Sequence, residues 1–152
     1  MPLTPKGINI FTFFNLPSAW WSGVRVEKIT PVTCDVKVHL LWINKNPFNS
    51  MFWAVQGMAA ELSTAVFLMK TIKKSKQSVS MLVLKNNAVF KKKAKGLVKF
   101  HCNQGNEAIN AVNKAIESGE AVAVKLKSLG TDISGDIVSE FEFEWSLKKK
   151  SI

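Results

Sequence analysis

The chain has 152 residues, 47% of them hydrophobic, which is enough for one domain with a proper core and excludes an intrinsically disordered chain. Its 21 basic residues outnumber the 11 acidic ones, giving a net charge of +10 and a pI near 9.8, so its partners are sought among polyanions and phosphate-bearing ligands. No stretch reaches the roughly 18 uninterrupted apolar residues of a membrane span. The nearest, 52–69, is broken by Gln56, Glu61, Ser63 and Thr64.

In chain order, residues 8–22 mix Ile10, Phe11, Phe14, Leu16, Trp20 and Trp21 without charge and predict one or two short helices, Pro17 opening the second and Gly23 ending it. A strand follows at Val24 and Val26. After Pro31, Cys34, Val36, Val38 and Leu40 alternate with Thr33, Asp35, Lys37 and His39, a period of two that predicts a half-buried strand as far as about Trp42. Residues 44–50 read as a loop. Met51 to Lys73 then predicts one long helix, apolar nearly all round and therefore buried nearly all round, with Ser50 or Asn49 as N-cap and Lys70, Lys73 and Lys74 at the far end.

Residues 78–85 and 88–102 predict two strands about an Asn86-Asn87 hairpin. A shorter amphipathic helix spans 106–118 and stops at Gly119. Strands at 121–128 and 137–147 close the chain, with Gly130 and Ser134-Gly135-Asp136 supplying the turn. The sum is an α+β domain, an antiparallel curved sheet wrapped around one central helix. So apolar a helix needs further cover, from residues 8–22 or from a second subunit. The domain runs over 23–152, with 1–22 packing upon it as short helices. Cys34 and Cys102 lie in strands without metal-type spacing and read as buried thiols of a reducing cytoplasm. No cleavage site of a secretory signal is visible near the N-terminus.

The element order, together with Asn46-Pro-Phe-Asn-Ser-Met-Phe-Trp-Ala-Val-Gln-Gly-Met-Ala-Ala-Glu61, resembles the PaaI-like branch of the hotdog thioesterases. That branch carries an Asn, a Gly-Thr turn, a His-Gly-Gly at the start of the central helix, and a catalytic carboxylate nine residues after the His. On this chain the resemblance places Asn46 on the Asn, Asn49 and Ser50 on the turn, Phe52 on the His, Trp53-Ala54 on the glycines and Glu61 on the carboxylate. The His is thus replaced and both glycines are absent. The resemblance implies the hotdog fold, hydrolysis of acyl-CoA or another acyl thioester, and a homodimer or homotetramer whose site lies between subunits.

Glu61 sits among Met58, Ala59, Ala60, Leu62 and Ala65 with no basic residue within helical reach. Burial there raises a carboxyl pKa toward the range useful to a general base or nucleophile. Thr64, one turn on, is placed to orient it. The unpaired N–H groups of Phe52 and Trp53 are the expected oxyanion donors. Asn46, Asn49 and Ser50 shape the turn before the helix. Gln56 and Gly57 face substrate or a close neighbour, and Lys91, Lys92 and Lys93 form the best candidate for the phosphates of coenzyme A. His39 and His101 read as ordinary strand residues, and with no phosphate loop or metal spacing no cofactor is expected. A non-catalytic hotdog module binding acyl thioesters or another hydrophobic ligand is the alternative. Nucleic acid fits less well, because only Phe90 and Phe100 lie near the basic run as stacking platforms.

Overall fold

The computed structural model describes residues 4–151; Met1–Leu3 of the predicted N-terminal segment lie outside them, as does Ile152. Helix α1 (Pro5–Asn15) opens where the sequence supplies a cap, the Thr4 hydroxyl accepting the Gly7 N–H at 3.1 Å, and Pro5 at a position whose N–H is not needed. α2 (Pro17–Trp21) follows at once. The carboxamide of Asn9 then pairs with both backbone groups of Val26, at 2.8 and 2.9 Å, and so docks α1 on the first strand.

The remaining elements are β1 (Arg25–Ile29), β2 (Cys34–His39), a single 3-10 turn at Trp42–Asn44, α3 (Trp53–Ser75), β3 (Val79–Phe90), β4 (Leu97–Cys102), α4 (Gly105–Ser118), β5 (Val122–Asp132) and β6 (Ile137–Lys149). The six strands form one antiparallel sheet in the order β1-β2-β4-β5-β6-β3. Its concave face holds α3, and Cys34, Val36, Val38, Val98, Phe100, Leu126, Phe141, Phe143, Trp145 and Leu147 form the buried stripe beneath it. Each large apolar side chain so buried contributes roughly 1.5–3 kcal/mol, which is why the stripe of period two fixes which face of each strand points inward.

Three expectations are corrected. Asn86-Asn87 is not a hairpin: β3 runs straight through it, pairing Asn86 with Phe143 and Asn87 with Glu142. Neither residue takes the positive φ such a turn requires; among the described non-glycine residues only Asn49 and Lys76 do. Helix α3 starts at Trp53, with extended Phe52 as a cap residue that makes no side-chain bond. Ser50 cannot serve as cap, because its hydroxyl is bonded to the Asn46 carboxamide. Gly130 lies inside β5, not in the turn. A Cβ there would come within 2.6 Å of the Phe100 ring, so this position needs glycine for close packing.

Candidate active site

The loop before α3 is a self-contained turn. The Asn46 carboxamide oxygen accepts the N–H of Phe48 and of Ser50, at 2.9 and 3.2 Å, and Asn49 takes a left-handed conformation (φ 56°) that asparagine tolerates. Asn46, Asn49 and Ser50 therefore build the turn, the side chains of Asn46 and Ser50 bonded to each other and Asn49 contributing its backbone, whose N–H donates to the Asn46 carbonyl at 3.2 Å. The buried Asn44 anchors the next step: its Nδ2 donates to the carbonyls of Ser22 and His39, and its own carbonyl accepts the Phe52 N–H at 2.9 Å. Phe52 thus has no free amide, contrary to the oxyanion role expected of it. Among the described residues no acceptor meets the N–H of Trp53, the first residue of α3, so that group stands open at the positive end of the helix dipole.

Glu61 lies two turns further on. It lines a cleft of about 450 Å³ between α3, the α1–α2 junction and the inner ends of β3 and β6, walled by Leu16, Pro17, Met58, Leu62, Ala65, Met69, Met81 and Trp145. Among the described residues Glu61 is the only ionisable side chain in that wall. Among the described residues its carboxylate has no hydrogen-bond or ion-pair partner. Desolvation in this apolar company pushes its carboxyl above the usual range. Thr64 does not orient the carboxylate: its hydroxyl donates to the Glu61 backbone carbonyl at 2.9 Å and accepts the Trp145 indole N–H at 3.2 Å.

A second cleft, of about 570 Å³, opens at the start of α3. It gathers Asn46, Ser50, Phe52, Trp53, Gln56 and Lys91–Lys93 with Phe48 and Phe90. The basic run is less free than its sequence suggests. Lys92 is held by Asp132 and Asp136 at 2.6 and 2.8 Å, which raise its pKa to about 12, and Lys91 pairs with Glu140 at 3.1 Å. Among the described residues Lys93 and Lys95 have no ion-pair partner. Gly57 lies between the two clefts along α3. A Cβ there would meet the Phe141 ring at an ordinary 3.6 Å, so packing within the chain does not demand glycine. The two cysteines face each other across β2 and β4; burial pushes the Cys34 thiol up to about 12, away from the thiolate form that acts as a nucleophile.

No protein-family model and no curated protein matches the sequence. Solved structures do match in shape. A probable thioesterase of unknown function from Pseudomonas aeruginosa superposes with a TM-score of 0.79 at 20% identity, covering 96% of this chain and 97% of its own. A protein of unknown function from Chlorobaculum tepidum gives a TM-score of 0.80 at 15% identity, with 97% and 98% covered. A thioesterase from Haemophilus influenzae gives 0.67 at 10%, with 96% and 91% covered.

The chain has the hotdog fold.

Within this hotdog domain three buried polar ties join the sheet to the helix, and the sequence reading named none of them. Ser63 meets Ser128 at 2.8 Å, Gln56 meets Ser139 at 2.8 Å, and Thr64 takes the Trp145 indole. The signal was present: Ser128 and Ser139 occupy inward-facing positions of strands whose other inward positions are Val122, Val124 and Leu126, or Phe141, Phe143 and Trp145. A hydroxyl on an apolar stripe needs a partner from the element packed above it.

Proposed function

We propose that the chain hydrolyses acyl thioesters, with coenzyme A esters as the substrate class, in a site completed by a second copy of itself. The observation that carries this reading is the unpartnered Glu61 carboxylate in an apolar cleft, two turns along α3 from the open N–H of Trp53. Residues 53, 57 and 61 follow the i, i+4, i+8 spacing of one helix face. Eight residues of helix span about 12 Å, whereas a base and an oxyanion donor acting on one carbonyl must each lie about 3 Å from it. One chain alone does not bring them together. Two copies of α3 packed antiparallel about Gly57 set each Trp53 opposite the partner's Glu61, since both lie four residues from that glycine. A glycine at the crossing lets the helices approach closely, and nothing inside the chain requires one there. The edge strand β3, unpaired on its outer side among the described residues and bearing exposed Leu82, Leu84 and Val89, is a template for joining two sheets.

In that site the Trp53 amide receives the oxyanion as water attacks the thioester carbonyl and Glu61 takes the water proton. Collapse breaks the C–S bond, the thiolate leaves and takes up a proton, and a carboxylate and free coenzyme A remain. The apolar wall of Met58, Leu62, Met69 and Met81 suits an acyl chain. The free Lys93 suits the phosphates. No described helix is long and apolar enough to cross a membrane, and two buried thiols fit a reducing cytoplasm.

The test is thiol release from a panel of acyl-CoA esters, acetyl to palmitoyl and aromatic, by the wild type and Glu61→Gln. Turnover lost in the variant supports the reading. An oligomer that binds the esters and turns over none of them sinks it in favour of the ligand-binding module, a reading that the engaged Phe52 amide and the missing His favour.

A further inference from the structure

The cleft at the start of α3 contains a donor that the helix terminus does not supply. Gln56 is 4% exposed, and its Oε1 accepts the hydroxyl of Ser139, itself fully buried, at 2.8 Å. Its Nε2 has no partner among the described residues. Since no buried side-chain nitrogen or oxygen in the described chain lacks a partner, that nitrogen keeps access to solvent, and the cleft Gln56 lines is the one at the helix start. An amide whose oxygen is occupied can offer only N–H outward. Gly130 leaves room beside this arrangement. It pairs with Ser139 across β5 and β6, and a Cβ at 130 would lie 3.1 Å from the Ser139 hydroxyl.

We infer that Gln56 is a second oxyanion donor, whose Nε2 acts with the Trp53 amide on the carbonyl oxygen of the bound acyl thioester, and that Ser139 is the positioning residue that fixes its orientation. The inference rests on the thioesterase reading above. The ligand chemistry is set by the donors: two N–H groups, the positive end of a helix dipole and an unpaired lysine on the rim recognise an oxygen that carries or gains negative charge. Without the Ser139 bond the carboxamide can rotate and present its own oxygen, which would repel that charge. A buried serine on an otherwise apolar stripe is thereby given a task in catalysis as well as in packing.

Two measurements test this. In steady-state kinetics Gln56→Met, which keeps the volume and removes the amide, lowers kcat about 100-fold with little change in KM, the behaviour of a donor engaged mainly in the transition state. Ser139→Ala lowers kcat about tenfold on the same grounds. Equal kcat in both variants, with only the melting temperature reduced, means that the pair is structural and overturns the proposal. The second measurement needs no turnover. The probe is the ketone analogue of octanoyl-CoA, in which a CH2 group separates the carbonyl from sulfur so that it cannot be hydrolysed. In 1H–15N spectra the Gln56 side-chain NH2 pair, assigned by its loss in Gln56→Met, shifts downfield as the analogue saturates the wild type. Saturation with that pair unmoved overturns the role of Gln56 and leaves the thioesterase reading standing. No binding of the analogue, together with no hydrolysis of any ester, overturns both.

Discussion

Helix α3 carries two clefts of similar size and opposite character. The one around Glu61 is apolar, holds a single ionisable group, and offers that group no partner. The one at the helix start is polar at its base and basic at its rim, with free N–H groups on Trp53 and Gln56. A carboxylate with no partner is costly in apolar surroundings, whereas the open N–H groups at the helix start lie beside exposed Phe52 and Trp53 and reach solvent. Each cleft lacks what the other supplies, and the antiparallel pairing of two α3 helices proposed above would close the 12 Å or so between them along one helix.

The greatest loss of activity is expected at the acid. Glu61→Gln should lower kcat by roughly 10²- to 10⁴-fold, the range for a lost general base. The same substitution should raise stability at neutral pH. Because its folded pKa is raised, Glu61 contributes most below its ordinary value of 4.5, and that contribution is lost as pH rises through the folded value. The variant should therefore melt higher than wild type near pH 7 and level with it below pH 4. Thermal scans at the two pH values check the sign. The base must be ionised, so kcat/KM should fall on acidification at a pH above the usual carboxylate range.

The helix start can be broken without touching a side chain that does chemistry. Trp53 is the first helical residue, where proline is tolerated, and Phe52 before it has the extended conformation (φ −60°, ψ 132°) that a following proline prefers. Trp53→Pro removes the open N–H, while Trp53→Ala keeps it. The proline variant should be slower than the alanine variant by roughly 10²- to 10³-fold, the scale of one oxyanion donor, with no loss of melting temperature. Equal rates would show that the Trp53 amide is idle.

Changes at the rim and between the clefts should have more modest consequences. Lys93→Ala should raise KM for coenzyme A esters a few-fold, and less at high salt. Lys92→Ala should leave KM unchanged, because Asp132 and Asp136 already hold that ammonium. Gly57→Ala should stabilise the fold of a single chain by up to about 1 kcal/mol from helix propensity, since the chain leaves room for the Cβ. Measured by denaturant melting against oligomeric state, a gain in fold stability with a weaker dimer would locate the helix crossing at this glycine.

The period-two stripes of β2, β5 and β6 and the apolar length of α3 made the sheet-and-helix architecture legible in the sequence, because burial writes itself into alternation. Asn86-Asn87 misled because a turn signal is local, while the partner strand β6 that holds it straight lies more than fifty residues away. The helix start misled for a similar reason. Ser50 looks like a cap until Asn46 claims its hydroxyl, and Phe52 looks like a donor until the carbonyl of Asn44, eight residues upstream, takes its N–H. Glu61 was legible because Met58, Ala59, Ala60, Leu62 and Ala65 around it are apolar and no basic residue lies within helical reach. Ser139 was legible only by the parity of its position, and its partner Gln56 could not be named without the fold.

The most direct test of the shared site is subunit mixing. Glu61→Gln chains and Trp53→Pro chains, each nearly inactive, are unfolded together, refolded as a mixture and assayed for thiol release. If each site takes its base from one chain and its helix start from the other, half of the dimers carry one intact site and the mixture recovers about a quarter of wild-type activity. Recovery no greater than the sum of the two residual rates would place both groups in the same chain's site and contradict the account.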